Sequence, residues 1–409
     1  MEVLSGRAPK AFRRGTHRIA SPSETWDRVR PMASEMGITR IGNVTGLDRI
    51  GIPVAVAVRP NSRSISVSQG KGLDLVQAMT SALMEGVEGF HAEELRHRFY
   101  LASHRALSAR HSVVDPAVLP SNGRSFDDAL AIPWIEGFDL VHGGACWVPA
   151  ELVHMDFMAR DVPKKHFFLR GSNGLASGNH FAEASCAAIC ELVERDAIAV
   201  WRAQGIRARA RRVVAEDSID EENCRALLAA YRRAGVSVRI FDVTTDVAIA
   251  AFACEIRVPS DNESGRVHRY RGSGCHCDRA VALSRALTEA AQTRLTYITG
   301  IRDDLDPRDY TSAPATAIDE DLVIGALQDG HQRDFHSAPD FASDDLMEDV
   351  RAMLTRLRDA GLHEAIAVDL TRPEFGIPVL RVVIPGLEGD SSHHEYCRGV
   401  RAQQAMAAS

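Results

Sequence analysis

A mixed α/β (α+β) fold built as one unit is predicted by three features of the sequence. Helix-period and strand-period segments alternate along the chain, no internal repeat recurs, and no low-complexity linker interrupts residues 40 to 385. With 409 residues, 45% of them hydrophobic and 25% charged, the chain can bury a sizeable core. The reading divides it into an N-terminal segment (1–35) with one helix, a main unit (36–390) and a flexible tail (391–409).

The first 20 residues look loosely ordered, after which "SPSETW" starts a helix. Ser21 is the N-cap, Pro22 occupies the first turn, and Glu24 closes a capping box; the helix should stop near Gly37. "IPVAVAVRP" and "SISVSQ" read as two strands, followed by a helix from about Asp74 to Arg96. "ACWVPA" (145–150) reads as a strand, and the glycine-rich loop "GSNGLASGN" (171–179) leads into a long helix reaching about Gln204. A helix near 218–233, the strands "VSVRIFDV" and "VAIAAFACEI", a helix near 278–297, and a late helix with two strands (345–384) complete the pattern. The irregular stretch 302–342 reads as a surface excursion.

Charge and composition exclude several classes of function. A net charge of -7, with no basic run beyond "RARARR" (207–212), argues against a nucleic-acid partner. The opening residues lack the apolar core of a signal peptide, and no window is long and apolar enough for a membrane helix, so the expectation is a cytoplasmic protein. Eight scattered cysteines, several inside apolar runs, do not suggest a disulfide scaffold. "CHCD" at Cys275, His276 and Cys277 lacks the paired spacing of a zinc site.

The chemistry-bearing signal is acidic. In "HFAEASCAAICELVERDA", Glu191 and Glu194 lie about 60° apart on the helix, and Glu183 falls about 20° from Glu194 three turns earlier. The earlier helix "VQAMTSALMEGVEGF" carries Glu85 and Glu88 as its only charges. Solvated faces are the usual fate of helical glutamates. Such faces normally show basic neighbours at i±3 or i±4, as Glu221 and Glu222 do with Arg225. Glu85 and Glu88 have only His91 in those positions. If the two stripes converge, a carboxylate pair about 4 Å apart repels by roughly 4 kcal/mol at an effective dielectric near 20. Cations are then required, and Mg²⁺ with phosphate oxygens fits. Spacing leaves both readings open.

Two further features bear on the choice. Lys71 sits between glycines in "SQGKGLD" ahead of a helix, an arrangement suited to phosphate. It is not a Walker A loop, because Ile65 and Gly72 occupy the first glycine and the Ser/Thr positions. "RALTEAAQTRLT" sets Arg285 and Glu289 at i, i+4 after the glycine-rich "GSGCHCD", which makes three such lead-ins in one chain.

Together these residues resemble the YcaO family of ATP-dependent enzymes that activate peptide backbone amides. The matching stretches are "NSRSISVSQGKG" with "ALMEGVE", "IPWIEGFDLVHGGACWVP", "SNGLASGNHFAEASCAAICELVERDA" and "GSGCHCDRAVALSRALTEAAQTRLTYITGIRDD", spread over most of 35–390. The resemblance implies that Glu85, Glu88, Glu183, Glu191 and Glu194 hold Mg²⁺ ions bridging ATP phosphates. It implies a phosphate or metal contact for Asn179, a supporting or catalytic role for Arg195, and completion of the site by Arg285 and Glu289. Where the family has a serine three residues before the asparagine, this chain has Ala176, with Ser177 beside it as the alternative contact. Met84 stands where an arginine sometimes precedes the first glutamate, and Lys71 is a further nucleotide contact.

The resemblance also implies a precursor peptide or protein as substrate, with phosphoryl transfer from ATP making the amide oxygen a leaving group. Family branches differ in the attacking atom: a substrate side chain yields an azoline, external sulfide a thioamide, and an external amine an amidine. The ending "HHEYCRGVRAQQAMAAS" lacks the Pro-x-Pro-x-Pro of azoline-forming members, while "SVSQGKGL" and "VVIPGLEG" resemble members acting with a TfuA partner in thioamide formation. A homodimer is expected on resemblance alone. The competing expectation is a non-catalytic accessory protein that binds nucleotide or leader peptide.

Overall fold

The computed structural model describes residues 6–158, 166–259, 267–302, 330 and 332–408. Helix α1 (Pro22–Val29) begins at the expected capping box: Ser21 Oγ accepts from the Glu24 N–H at 3.2 Å, and the Glu24 carboxylate accepts from the Ser21 N–H at 2.7 Å. Strands β1 (Arg40–Asn43), β2 (Val54–Val58) and β3 (Val67–Lys71) form an antiparallel meander covered by α2 (Leu75–Glu93). Asp74 caps α2 through the Gln77 N–H.

The second sheet is six-stranded and antiparallel. It takes in β4 (Tyr100–Ser103), β5 (Ala131–Asp139), β6 (Ala145–Pro149) and β7 (Leu175–Ser177), and later β11 (Ile366–Asp369) and β12 (Val379–Val383). The short helix α3 (His104–Ser108) follows β4. Long helix α4 (Phe181–Ala203) leaves β7 and is capped by the His180 ring, which accepts from the Ala182 N–H. Its alanines and cysteines pack into a core shared with α8 (Leu346–Asp359), including Ile189, Val193 and Met353.

After α5 (Ile206–Ala210) and α6 (Glu222–Arg233), β8 (Ser237–Asp242), β9 (Ala250–Pro259) and β10 (Val267–His276) make a second antiparallel meander. Helix α7 (Arg279–Thr299) lies on it, capped by Asp278 through the Ala280 and Val281 N–H groups. The buried Tyr231 of α6 donates to the Leu287 carbonyl at 2.6 Å, which fixes α6 against α7. Every named strand pairing is antiparallel, so the architecture is α+β with helices laid on sheets.

Three expectations change. The glycines of "SQGKG" and "GSGCHCD" lie in or beside strands, and steric room for a helix is what they provide. A Cβ at Gly70 would lie 2.1 Å from the Ala82 nitrogen of α2, and one at Gly274 would lie 2.1 Å from the Ala282 carbonyl oxygen of α7. Strand β10 has no legible strand signal because these glycines interrupt it.

The opening residues are tied down as a strap. Ala8 N–H donates to both oxygens of Asp345 at 3.0 Å, and Lys10 forms a fully buried ion pair with Asp349. The tail expected to be flexible carries α9 (Val400–Ala407), whose Arg401 holds it to Asp196 of α4. The excursion expected at 302–342 lies largely outside the described residues. Among those that are described, Phe335 is buried and Val214 pairs with Arg333.

Candidate functional site

One cavity of about 640 Å³ lies where α2, α4, α7 and β3 meet. Lys71, Glu85, Glu88, Ser177, Asn179, Glu183, Glu191, Glu194, Arg195, Arg285 and Glu289 all line it, so every sequence-predicted site residue reaches the same space. The two glutamate stripes are not solvated faces of separate helices. Glu183 and Glu194 are each only 3% exposed, and Glu88 and Glu191 are half-buried. Glu85 is reached by water, but from within the cavity.

The side chains differ in how far the protein already satisfies them. Glu183 is fully engaged: its carboxylate accepts from the Ile19 N–H at 3.1 Å, from Arg18 at 3.3 Å, and from the Asn179 main-chain N–H and amide at 3.2 Å each. Asn179 itself bridges to α1 through Thr25 and Arg28. Glu88 accepts from the Ser177 N–H and hydroxyl at 2.8 and 2.7 Å. Glu194 accepts from Ser273 Oγ at 2.7 Å and from Arg195 at 3.2 Å. Among the described residues, Glu191 has a 3.4 Å contact with the Gly174 N–H and a 3.8 Å ion pair with Arg195.

Electrostatics follow this pattern. Burial pushes the Glu88 carboxyl up to about 8, against the Ser177 hydroxyl and with the charge of Glu85 adding to it. Burial also raises Glu85, opposed by Lys71 and Arg302, and the water reaching it tempers the effect. Glu191 is raised by burial despite Arg195, with Glu194 adding. For Glu289, burial is outweighed by Lys71, whose Nζ lies 2.9 Å away, and by Arg195 and Arg285, so its carboxyl falls to about 2. Burial opposes the charge on Arg195, yet the surrounding Glu194, Asp390, Glu191 and Glu289 raise it. His91, the sole basic candidate near the first stripe, is held neutral by burial, with its pKa lowered to about 4.

Lys71 therefore serves Glu289 rather than standing free on a loop, and the Nε of Arg285 is buried without a hydrogen-bond partner among the described residues. No three acidic, histidine or cysteine side chains among the described residues gather into a ready cation cage. Cys275 and Cys277 are buried thiols. Sequence reasoning missed Arg18 on the strap, and Asp390 and Ser392 in the turn after β12, all of which line the cavity. Neither segment has a periodic pattern to reveal it. Among the described residues, no helix is long and apolar enough to cross a membrane.

The chain is similar in sequence and in fold to known proteins. A family model described as YcaO cyclodehydratase, ATP- and Mg²⁺-binding, matches residues 69–388. An uncharacterized protein in the tfuA 3' region of Rhizobium leguminosarum bv. trifolii is 36% identical over 394 residues, covering 94% of this chain and 92% of that protein. A heterocyclase in complex with substrate and cofactor has a TM-score of 0.73 at 24% identity, over 94% of this chain and 54% of that one, so this chain spans about half its length. YcaO from Methanopyrus kandleri bound with AMPPCP and Mg²⁺ has a TM-score of 0.66 at 22% identity, over 92% of this chain and 94% of that one. The two structures show the fold, and the family model with the Rhizobium relative carries the assignment: this chain belongs to the YcaO family.

Proposed function

We propose that this protein uses ATP and Mg²⁺ to activate a backbone amide of a ribosomally made peptide or protein, forming a thioamide together with a TfuA-type partner. The observation that carries the reading is the meeting of five glutamates from two helices with Arg195, Arg285 and Glu289 around one cavity. The family description, the AMPPCP and Mg²⁺ of the Methanopyrus kandleri structure, and the tfuA-region relative support it.

The donor set suits Mg²⁺. It is made of carboxylate oxygens around one cavity, and Mg²⁺ takes a few carboxylates and completes its shell with phosphate oxygens and water. Glu85, Glu88, Glu183, Glu191 and Glu194 would hold it, and it would supply charge neutralisation on the phosphates. Glu85 and Glu191, raised carboxyls with few protein donors among the described residues, are the ones with most to gain.

A peptide amide is a poor electrophile. Sulfide adds to the carbonyl carbon and forms the C–S bond, the resulting oxyanion takes the γ-phosphoryl group of ATP with release of ADP, and phosphate then leaves with the C–O bonding pair as the sulfur loses its proton to give C=S. Arg195, gripped by Glu191 and Glu194, and Arg285, whose Nε has no hydrogen-bond partner among the described residues, would steady the charge on the transferring group. Lys71 would keep Glu289 ionised and in place. No enzyme nucleophile is needed.

The family's cyclodehydratase description favours a second reading, azoline formation with a substrate side chain as nucleophile. A non-catalytic accessory role is the third. Incubation with peptide, ATP, Mg²⁺, sulfide and partner should release phosphate in step with product. Mass spectrometry then separates the outcomes: oxygen-for-sulfur exchange raises the peptide mass, and water loss lowers it. Phosphate release that ignores the peptide, or none with every partner present, favours the accessory role.

A further inference from the structure

Helix α9 is bolted to the active-site helix by charge. Asp196 follows Arg195 on α4, is 0% exposed, and points about 100° away from it around the helix. Its carboxylate accepts from Arg401 Nε at 2.8 Å, from Arg401 Nη2 at 3.0 Å, and from the Glu388 N–H at 3.0 Å. The same guanidinium reaches Asp246 at 2.6 and 3.2 Å. Glu388 is also buried, and its carboxylate accepts from the Tyr396 hydroxyl at 2.7 Å and the Gly399 and Ala402 N–H groups at 2.8 and 2.9 Å. It thus caps α9 from outside the helix, whose own N-cap residue, Gly399, has no side chain to do so. A Cβ at Gly399 would lie 2.8 Å from Glu388 Oε1, which explains the glycine.

Between these anchors the chain turns through Asp390 and Ser392, both lining the cavity. Asp390 accepts from the Ser392 N–H and hydroxyl at 2.8 and 2.6 Å, and Arg202, two turns beyond Arg195 on α4, donates to Ser391 Oγ at 3.0 Å. Asp196 and Glu388 are two buried acids in one cluster: Arg401 is the cation paired with Asp196 and with Asp246, and Glu388 joins through its main-chain N–H, which donates to Asp196. Removing Arg401 leaves buried like charge beside an unanchored helix, a cost the chain relieves by releasing the segment.

We infer that Asp196, Arg401 and Glu388 form a latch that positions the 390–392 turn against Arg195, making α9 a positioning element of the active site. The latch rests on the phosphoryl-transfer reading above only for its effect on rate. In R401A, amide hydrogen exchange of 388–402 should rise roughly tenfold or more relative to the full-length wild type. Turnover should fall at least about tenfold while KM for ATP moves less than about threefold, because a mis-set Arg195 still meets phosphate but not in its productive pose. R401K keeps the charge and loses the bidentate fork, so it should fall between the two, and it serves as the second variant if R401A folds poorly. Unchanged exchange in both variants overturns the latch. Faster exchange with wild-type kcat overturns the positioning role. Absence of phosphate release from the wild type itself is a failure of the proposed reaction, and the exchange measurement still decides the latch.

Discussion

Lys71 on β3 and Glu289 on α7 join the two meander-and-helix units of the fold, their charged atoms 2.9 Å apart and both side chains less than a quarter exposed. The pair lies 218 residues apart in sequence. Because Glu289 also meets the Ser273 N–H and hydroxyl, this contact places a carboxylate from one unit at the edge of the other.

Replacing Lys71 with Met should lower stability by about 2–3 kcal/mol at neutral pH, since a largely buried carboxylate loses its main cation. Glu289 has its carboxyl depressed to about 2. Its contribution is therefore complete above the unfolded value near 4.3 and is lost as pH falls toward 2. The thermal-melt difference between wild type and K71M should be largest near pH 7 and narrow below about pH 4. A constant difference across that range argues against the pair.

Glu88 behaves oppositely. Its carboxyl is raised to about 8, so without cation the folded state loses stability as pH climbs from about 4.3 through 8. Binding of Mg²⁺ with a nucleotide should then release protons at pH 7. Calorimetric titrations in buffers of different ionisation enthalpy should detect this release in the wild type and a smaller one in E88Q. Equal proton release from both proteins excludes Glu88 as the source.

Glu183 and Glu191 should separate stability from turnover. Glu191 has few protein donors, so E191Q should abolish turnover with little change in melting temperature. Glu183 ties the strap to α4, so E183Q should also destabilise by about 1–3 kcal/mol. Wild-type turnover in E191Q removes that residue from the proposed cation site.

Gly70 and Gly272 should tolerate nothing larger. A Cβ at Gly70 meets α2 backbone at 2.1 and 2.2 Å, and one at Gly272 meets the Ala286 oxygen and the Ala290 nitrogen at 2.3 Å. G70A or G272A should cost at least about 3 kcal/mol in denaturant unfolding, because helix backbone cannot yield as a side chain can. A near-neutral alanine at either site contradicts the close packing described above.

Much of the site was legible because a helix fixes the direction of its side chains. The 3.6-residue period aligned Glu183, Glu191 and Glu194, and the absence of basic neighbours around Glu85 and Glu88 set them apart from a solvent face. Helix starts were equally readable at Ser21 and Asp74, whose side chains cap their own chain three residues on. The glycines before α2 and α7 were ambiguous for the same local reason. A glycine that admits a helix 8 to 18 residues later has the same sequence signature as one that cradles phosphate.

The chain alone determined which residues carry charge, which helices carry them, and on which face, since those depend on contacts a few residues long. Whether Glu85 and Glu191 share a cavity, whether Lys71 neutralises Glu289, and whether residues 8–18 and 388–402 are loose ends or walls of that cavity were decided by the tertiary fold. Those contacts span tens to hundreds of residues, and their burial and electrostatics exist only once distant segments have excluded water together.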